Sequence, residues 1–196
     1  MLEYMCIRAC KGLRLWYNQG MMYEFEGRVP QCGEGSYIAP SAQVIGDVII
    51  GKNCYIGHGA IVRGDYGSVR IGDGTAVEEG VVIHAPPGRT ATVGSHVTLG
   101  HGAIIHGESL GDWVVVGMNA VTSIGSVVGE WSIVGEDAVV KQNGVIEAGK
   151  VVVGAPAKPV RDTLERDKEW WAPMKKVYED LAGRYLAGGM KPVDAP

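Results

Sequence analysis

The chain has 196 residues, and its 18 Lys and Arg against 22 Asp and Glu leave a formal net charge of −4. That balance leaves no electrostatic footprint for nucleic acid or an anionic membrane, and the length fits one domain. Hydrophobic residues at 46% exclude a disordered chain despite 30 glycines, and 26 Val and 14 Ile against 8 Leu and 1 Phe exclude an ordinary helical bundle in favour of β-structure with many corners.

Residues 1–21 share no phase with the rest of the chain and read as an N-terminal extension without a functional role. Met21 or Met22 then precedes YEFEGRVPQ, which reads as a first strand and turn. Cys6, Cys10, Cys32 and Cys54 form no CxxC and no cluster of zinc-finger spacing, so they are expected to be free thiols. No apolar run approaches the roughly 20 residues of a spanning helix, and the N-terminus has no apolar core before a small-residue cleavage site. A cytoplasmic protein with neither membrane nor nucleic-acid partner is expected.

From Ile38 an aliphatic residue recurs every six positions: Ile38, Val44, Ile50, Ile56, Val62. The register jumps nine to Ile71, continues through Val77 and Ile83, and jumps ten to Val93. It then passes Leu99 and Ile105, shortens to five at Leu110, and runs unbroken through Val116, Thr122, Val128, Val134, Val140 and Ile146 to Val152. Small or β-branched residues stand four places later, as at Ala42, Cys54, Ala60, Thr75, Ala103, Ser109 and Ala138. A period of six is neither the 3.6 of a helix nor the 2 of a strand. It describes a solenoid of short strands and tight corners, with three hexapeptides per triangular coil, about six turns, and coils stacked about 4.8 Å apart. The β-helix domain is assigned to residues 22–160, closed by Pro156 and Pro159. Residues 161–188 form a C-terminal helical segment, with Asp162 or Thr163 as cap and a stripe of Val177, Leu181, Tyr185 and Leu186. Pro173 breaks it or starts a second helix, and residues 189–196 are a tail.

Equal phase three units apart means the same column on adjacent coils. Arg63, His84 and His106 follow Val62, Ile83 and Ile105 and so form one column; His101 shares another with Glu79 and His58. His58 and His96 join no such site and read as ordinary exposed residues. Three imidazoles with an open fourth position make a catalytic metal site that lowers the pKa of bound water to about 7. Because His101 lies on a different face, a neighbouring prism is expected to complete the set.

VRGD (62–65), TAVEEGVVIH (75–84), VTLGHGAIIHG (97–107) and VVGMNAV (115–121) resemble the γ-class carbonic anhydrase family of hexapeptide proteins over residues 22–188, and GAPAKPVR (154–161) is similar to the family's solenoid exit. The resemblance implies a left-handed β-helix and a homotrimer with metal sites between subunits. His84 and His106 from one chain and His101 from the next would hold a divalent metal, zinc first, with iron or cobalt as alternatives. It further implies that Arg63 and Asp65 tie subunits together and order the site, Arg63 either binding bicarbonate or pairing with Asp65 or Glu79. The family's Asn-Ile-Gln-Asp-Gly stands here as Ala76-Val77-Glu78-Glu79-Gly80, so Glu78 replaces the glutamine that orients the nucleophile and Glu79 the aspartate. Neither short loop, Tyr66-Gly67-Ser68 nor Ala85-Pro86-Pro87-Gly88, carries a proton-shuttling carboxylate. The activity this implies is reversible hydration of CO2 to bicarbonate. CoA thioester hydrolysis, acyl transfer by a single-histidine base, and a low-activity scaffold subunit are the alternatives.

Overall fold

The computed structural model describes residues 19–193. Residues 1–18 of the expected extension, with Cys6 and Cys10, and residues 194–196 of the tail lie outside them. The first strand starts at Gln19, earlier than the sequence boundary, and spans Gln19–Tyr23, with Met21 to Tyr23 parallel to Gln43 to Ile45. Most of YEFEGRVPQ is a tight turn closed by Phe25 and Arg28.

The hexapeptide phase becomes three walls of a prism. Ile38, Ile56, Val77, Leu99, Val116, Val134 and Val152 pair in parallel along the first wall. That makes seven levels, one more than the expected six turns. Val44, Val62, Ile83, Ile105, Thr122 and Val140 form the second wall. Ile50, Ile71, Val93, Leu110, Val128 and Ile146 form the third. These side chains are nearly all sealed inside, and the small residues Ala42, Ala60, Ala103 and Ala138 fill the corners beside them with no exposed surface. Ser109 is the exception, partly exposed where the phase shortens. The walls bond at successive levels through backbone N–H and C=O groups, so the coil leaves few buried polar groups to satisfy otherwise.

The two phase jumps resolve differently. The stretch Tyr66-Gly67-Ser68 lies inside one strand, Ile61–Ile71, as a bulge: pairing with Tyr37–Ile50 passes from Gly64 straight to Val69, and of the three only Ser68 pairs with Thr90–Val93 on the other side. The second jump is a turn in which Arg89 N–H donates to the Pro86 carbonyl at 3.1 Å.

At the far end Lys158–Asp162 folds back antiparallel on Lys150–Val153. The expected helical segment is therefore shorter, a single helix α1 (Glu165–Leu186). Neither Asp162 nor Thr163 caps it. The Thr163 hydroxyl donates to the Trp131 carbonyl at 2.8 Å, and the Asp167 carboxylate accepts the Leu164 N–H at 2.8 Å. Pro173 sits inside α1 without ending it, because the Glu169 carbonyl it leaves unbonded belongs to an exposed stretch where water serves. The buried stripe is Lys175, Tyr178, Leu181, Ala182, Tyr185 and Leu186, with Val177 exposed instead. It lies on the outer side of the first wall, where the Tyr185 ring stacks on Tyr37 at 4.5 Å.

Candidate functional site

Register brings Arg63 beside His84, and His84 beside His106, as the columns require. The imidazoles stack at 5.0 Å, with His84 Nδ1 3.1 Å from His106 Nε2. Arg63 Nη1 donates to Asp65 Oδ2 at 2.5 Å, and Asp65 Oδ1 lies 3.4 Å from His84 Nε2. Arg28 donates to the Asp65 carbonyl and ties the first turn to this corner. Burial raises the Asp65 pKa, but the Arg63 guanidinium and the Tyr66 N–H outweigh it and hold the carboxyl below the usual range. His84 is pushed below its ordinary pKa by burial first, then by the Arg63 and His106 charges. Both effects favour the neutral form of the His84 imidazole, the form that coordinates metal.

The second corner holds His101. Its Nε2 lies 3.1 Å from Glu78 Oε2 and its Nδ1 2.8 Å from Glu79 Oε2. Glu79 also accepts the Tyr55 hydroxyl at 2.7 Å, so its partners are Tyr55 and His101, and Arg63 pairs with Asp65 instead. Burial opposes ionisation of Glu79, yet Tyr55, the backbone and His101 together lower its pKa. Glu78 is 5% exposed. Burial, then the bond to Glu78, pushes the Tyr178 phenol well above its ordinary pKa. His58, expected to be a plain surface residue, bonds Ser41 Oγ at 3.0 Å, and His96 stacks on Trp113 at 4.5 Å.

Two imidazole nitrogens 3.1 Å apart suit a shared tetrahedral ion, because metal–nitrogen bonds of about 2.0–2.1 Å place ligand nitrogens roughly 3.3 Å apart. The buried His84 Nε2 has no hydrogen-bond partner. Among the described residues no three His, Cys, Asp or Glu converge on one point, so His101 does not complete the set within its own chain.

Sequence reasoning missed what lies beside His101. A cleft of about 610 Å3 opens between α1 and the prism, with His101, Glu78 and Tyr178 among its lining residues. Trp170, Met174 and Val177 wall it on one side, and Val115, Met118 and Ile133 on the other. The signal was the outward Val115 and Ile133 on the first wall and the aromatic pair Trp170-Trp171, none of which a solvated surface needs.

Residues 30–64 match the family model "Bacterial transferase hexapeptide (six repeats)", and residues 90–123 match "Hexapeptide repeat of succinyl-transferase". The chain is 39% identical over 177 residues to the carnitine operon protein CaiE of Proteus sp. (strain LE138), covering 89% of this chain and 90% of that one. The chain belongs to the CaiE family of hexapeptide-repeat proteins. The Escherichia coli (strain K12 / DH10B) CaiE is also 39% identical, over 83% of each chain. Among solved structures, a putative acetyltransferase of Bacillus cereus superposes with a TM-score of 0.82 at 24% identity, covering 86% of this chain and 98% of that one, which shows the shared fold. A hexapeptide transferase family protein of Anaplasma phagocytophilum gives 0.64 at 28% identity, over 82% and 95%. Both CaiE relatives match over more than four fifths of the chain, so the family is defined by most of this arrangement rather than by isolated repeats. Among the described residues no helix is long and apolar enough to cross a membrane.

Proposed function

We propose that the protein is a metal-dependent hydrolase of acyl-CoA thioesters with apolar acyl groups, assembled as a homotrimer. The observation that carries this reading is the largely apolar cleft whose lining includes His101, Glu78 and Tyr178. A volume of about 610 Å3 is far beyond what CO2 needs and suits an acyl or aryl chain. The match to the succinyl-transferase repeat supports chemistry on acyl groups.

His84 and His106 of one subunit, with His101 of the next, would hold a divalent ion, zinc first, with iron or cobalt as alternatives. When bound, the ion supplies Lewis acidity that makes water nucleophilic at neutral pH. The chain's own residues do the rest. Asp65, fixed by Arg63, holds its charge 3.4 Å from His84 Nε2; Glu79, fixed by Tyr55, orients His101. Glu78, with Oε2 3.1 Å from His101 Nε2, would accept the proton of the attacking water, and Tyr178 keeps its carboxylate aimed. The cleft walls hold the acyl chain and exclude bulk water. A C–O bond would form as the thioester C–S bond breaks, Glu78 would return its proton to the departing thiolate, and the acid's remaining proton would pass to solvent, leaving carboxylate and thiol.

Reversible CO2 hydration is the second reading, favoured by the half-buried Arg63, Asp65, His84 and His106 corner, which needs no cleft. The test compares release of CoA thiol from acetyl-, octanoyl- and benzoyl-CoA with stopped-flow CO2 hydration, each with zinc, with chelator and with His101→Ala. Hydrolysis that rises with acyl size and vanishes with chelator and with His101→Ala is expected. CO2 hydration alone selects the second reading, and neither activity leaves a scaffold subunit.

A further inference from the structure

One corner of the prism, between the third and first walls, has a composition its backbone does not favour. Gly35, Asn53, Gly74, His96, Trp113, Trp131 and Gly149 occupy the same position on successive coils, all at positive φ between 53° and 76°. Glycine and asparagine suit that left-handed conformation and histidine is tolerated in it, but a bulky tryptophan there crowds its Cβ against the following carbonyl. The next corner follows the rule, with Gly59, Gly80, Gly102, Asn119 and Asp137. Two tryptophans on successive coils of one left-handed column therefore answer to something other than turn geometry.

The rings form a ladder. His96 stacks on Trp113 at 4.5 Å, and Trp113 on Trp131 at 4.8 Å with the planes 3° apart. Helix α1 grips both ends: Glu179 Oε1 lies 3.3 Å from His96 Nδ1, and Lys168 Nζ sits over the Trp131 ring at 5.6 Å. Eleven residues, three helical turns, separate Lys168 from Glu179, so both leave the same flank. Trp170, Met174 and Val177 leave the opposite flank, about half a turn away at 100° per residue, and line the cleft. Gly74, without a Cβ, leaves the space that the His96 and Glu179 pair occupies. The ladder thus fixes where the helix sits sideways on the first wall.

We propose that Trp113 and Trp131, with His96, are the residues that set the width of the cleft and hence the size of apolar acyl group it accepts. They touch neither substrate nor metal ligands and act by positioning α1. The inference rests on the cleft being the acyl site, and its test needs no turnover: failure of thioester hydrolysis counts against the function, whereas helix exchange and probe binding decide the ladder.

The test measures two things on the full chain: amide hydrogen exchange of residues 165–186 against the coils, and binding of the neutral fluorophores 1-aminonaphthalene and 1-aminoanthracene. Trp131→Gly suits the local backbone and removes the grip of Lys168. It is expected to raise exchange in α1 by about tenfold, leave the coils protected, and weaken 1-aminoanthracene binding several-fold while erasing its preference over the smaller probe. Trp113→Gly breaks the ladder at its centre and is expected to act in the same direction, and Trp131→Phe, which keeps a ring in place, to stay within about twofold of wild type. A wild type that binds neither probe, a Trp131→Gly variant with unchanged α1 exchange and probe affinity, or an equal rise of exchange in helix and coils would each overturn the proposal.

Discussion

Lys175 is 2% exposed on the inner face of α1, with Nζ 3.2 Å from Thr98 Oγ1 and 3.1 Å from the Val114 carbonyl. Burial pushes its amine from the ordinary 10.5 down to about 7, against a partial pull upward from Glu78. Between those two values the unfolded chain binds a proton that the folded chain lacks. Stability therefore rises with pH across the window, at up to about 1.4 kcal/mol per pH unit, and below pH 7 the folded state carries the full cost of the charge. The whole interval corresponds to about 5 kcal/mol, an upper bound because water entry and local rearrangement reduce the cost of a buried charge. Lys175→Met keeps the volume and removes the charge. The Val114 carbonyl still accepts the Thr98 N–H at 3.0 Å, so only the Thr98 hydroxyl loses a partner. The variant is expected to be more stable than wild type by about 1–4 kcal/mol at pH 7, with the advantage shrinking steadily toward pH 10. Guanidinium denaturation of both proteins at equal concentration, at pH 7, 8, 9 and 10, reads this directly, since other titrating groups are common to both. A variant less stable than wild type at pH 7, or two curves parallel in pH, would refute the reasoning.

Other outcomes follow from the same geometry. His106→Ala is expected to abolish stoichiometric zinc uptake, measured by metal analysis after dialysis. His101→Ala, though on another corner, is expected to do the same while sedimentation still gives a trimer; full affinity in that variant would sink the shared ligand set. Leu99→Ala empties a fully buried position between Val77 and Val116 and is expected to cost about 2–5 kcal/mol in urea denaturation. Gly74→Ala would put a methyl 2.6 Å from the His96 ring and 2.7 Å from Glu179 at a positive φ. It is expected to raise hydrogen exchange in α1 and lower the melting temperature by a few degrees.

The walls were legible because a six-residue period survives any local accident. Val62 must sit over Ile83 and Ile83 over Ile105 if each is to be buried, so the Arg63, His84 and His106 column followed from counting alone. The separate column of His101 with Glu79 followed in the same way. Counting could not say what fills a phase jump: Tyr66 to Ser68 bulges out of the ladder between Gly64 and Val69 and is held only at Ser68, by pairing with Thr90, information that lies far away in the chain.

By itself, then, the sequence determined the prism, its corners and the split of the three histidines over two columns, since all are consequences of one local period. The tertiary structure decided the rest. Which flank of α1 meets the prism depends on where Tyr37, Tyr55 and the Trp113 and Trp131 rings stand, and these are brought beside the helix only by coiling a chain whose Tyr37 and Tyr185 lie far apart in sequence. The same docking buries Lys175, turns Val177 outward, and opens the cleft beside Glu78 and His101. A period specifies contacts between repeats; it carries no term for a helix that repeats nothing, so the helix's place had to be settled by packing.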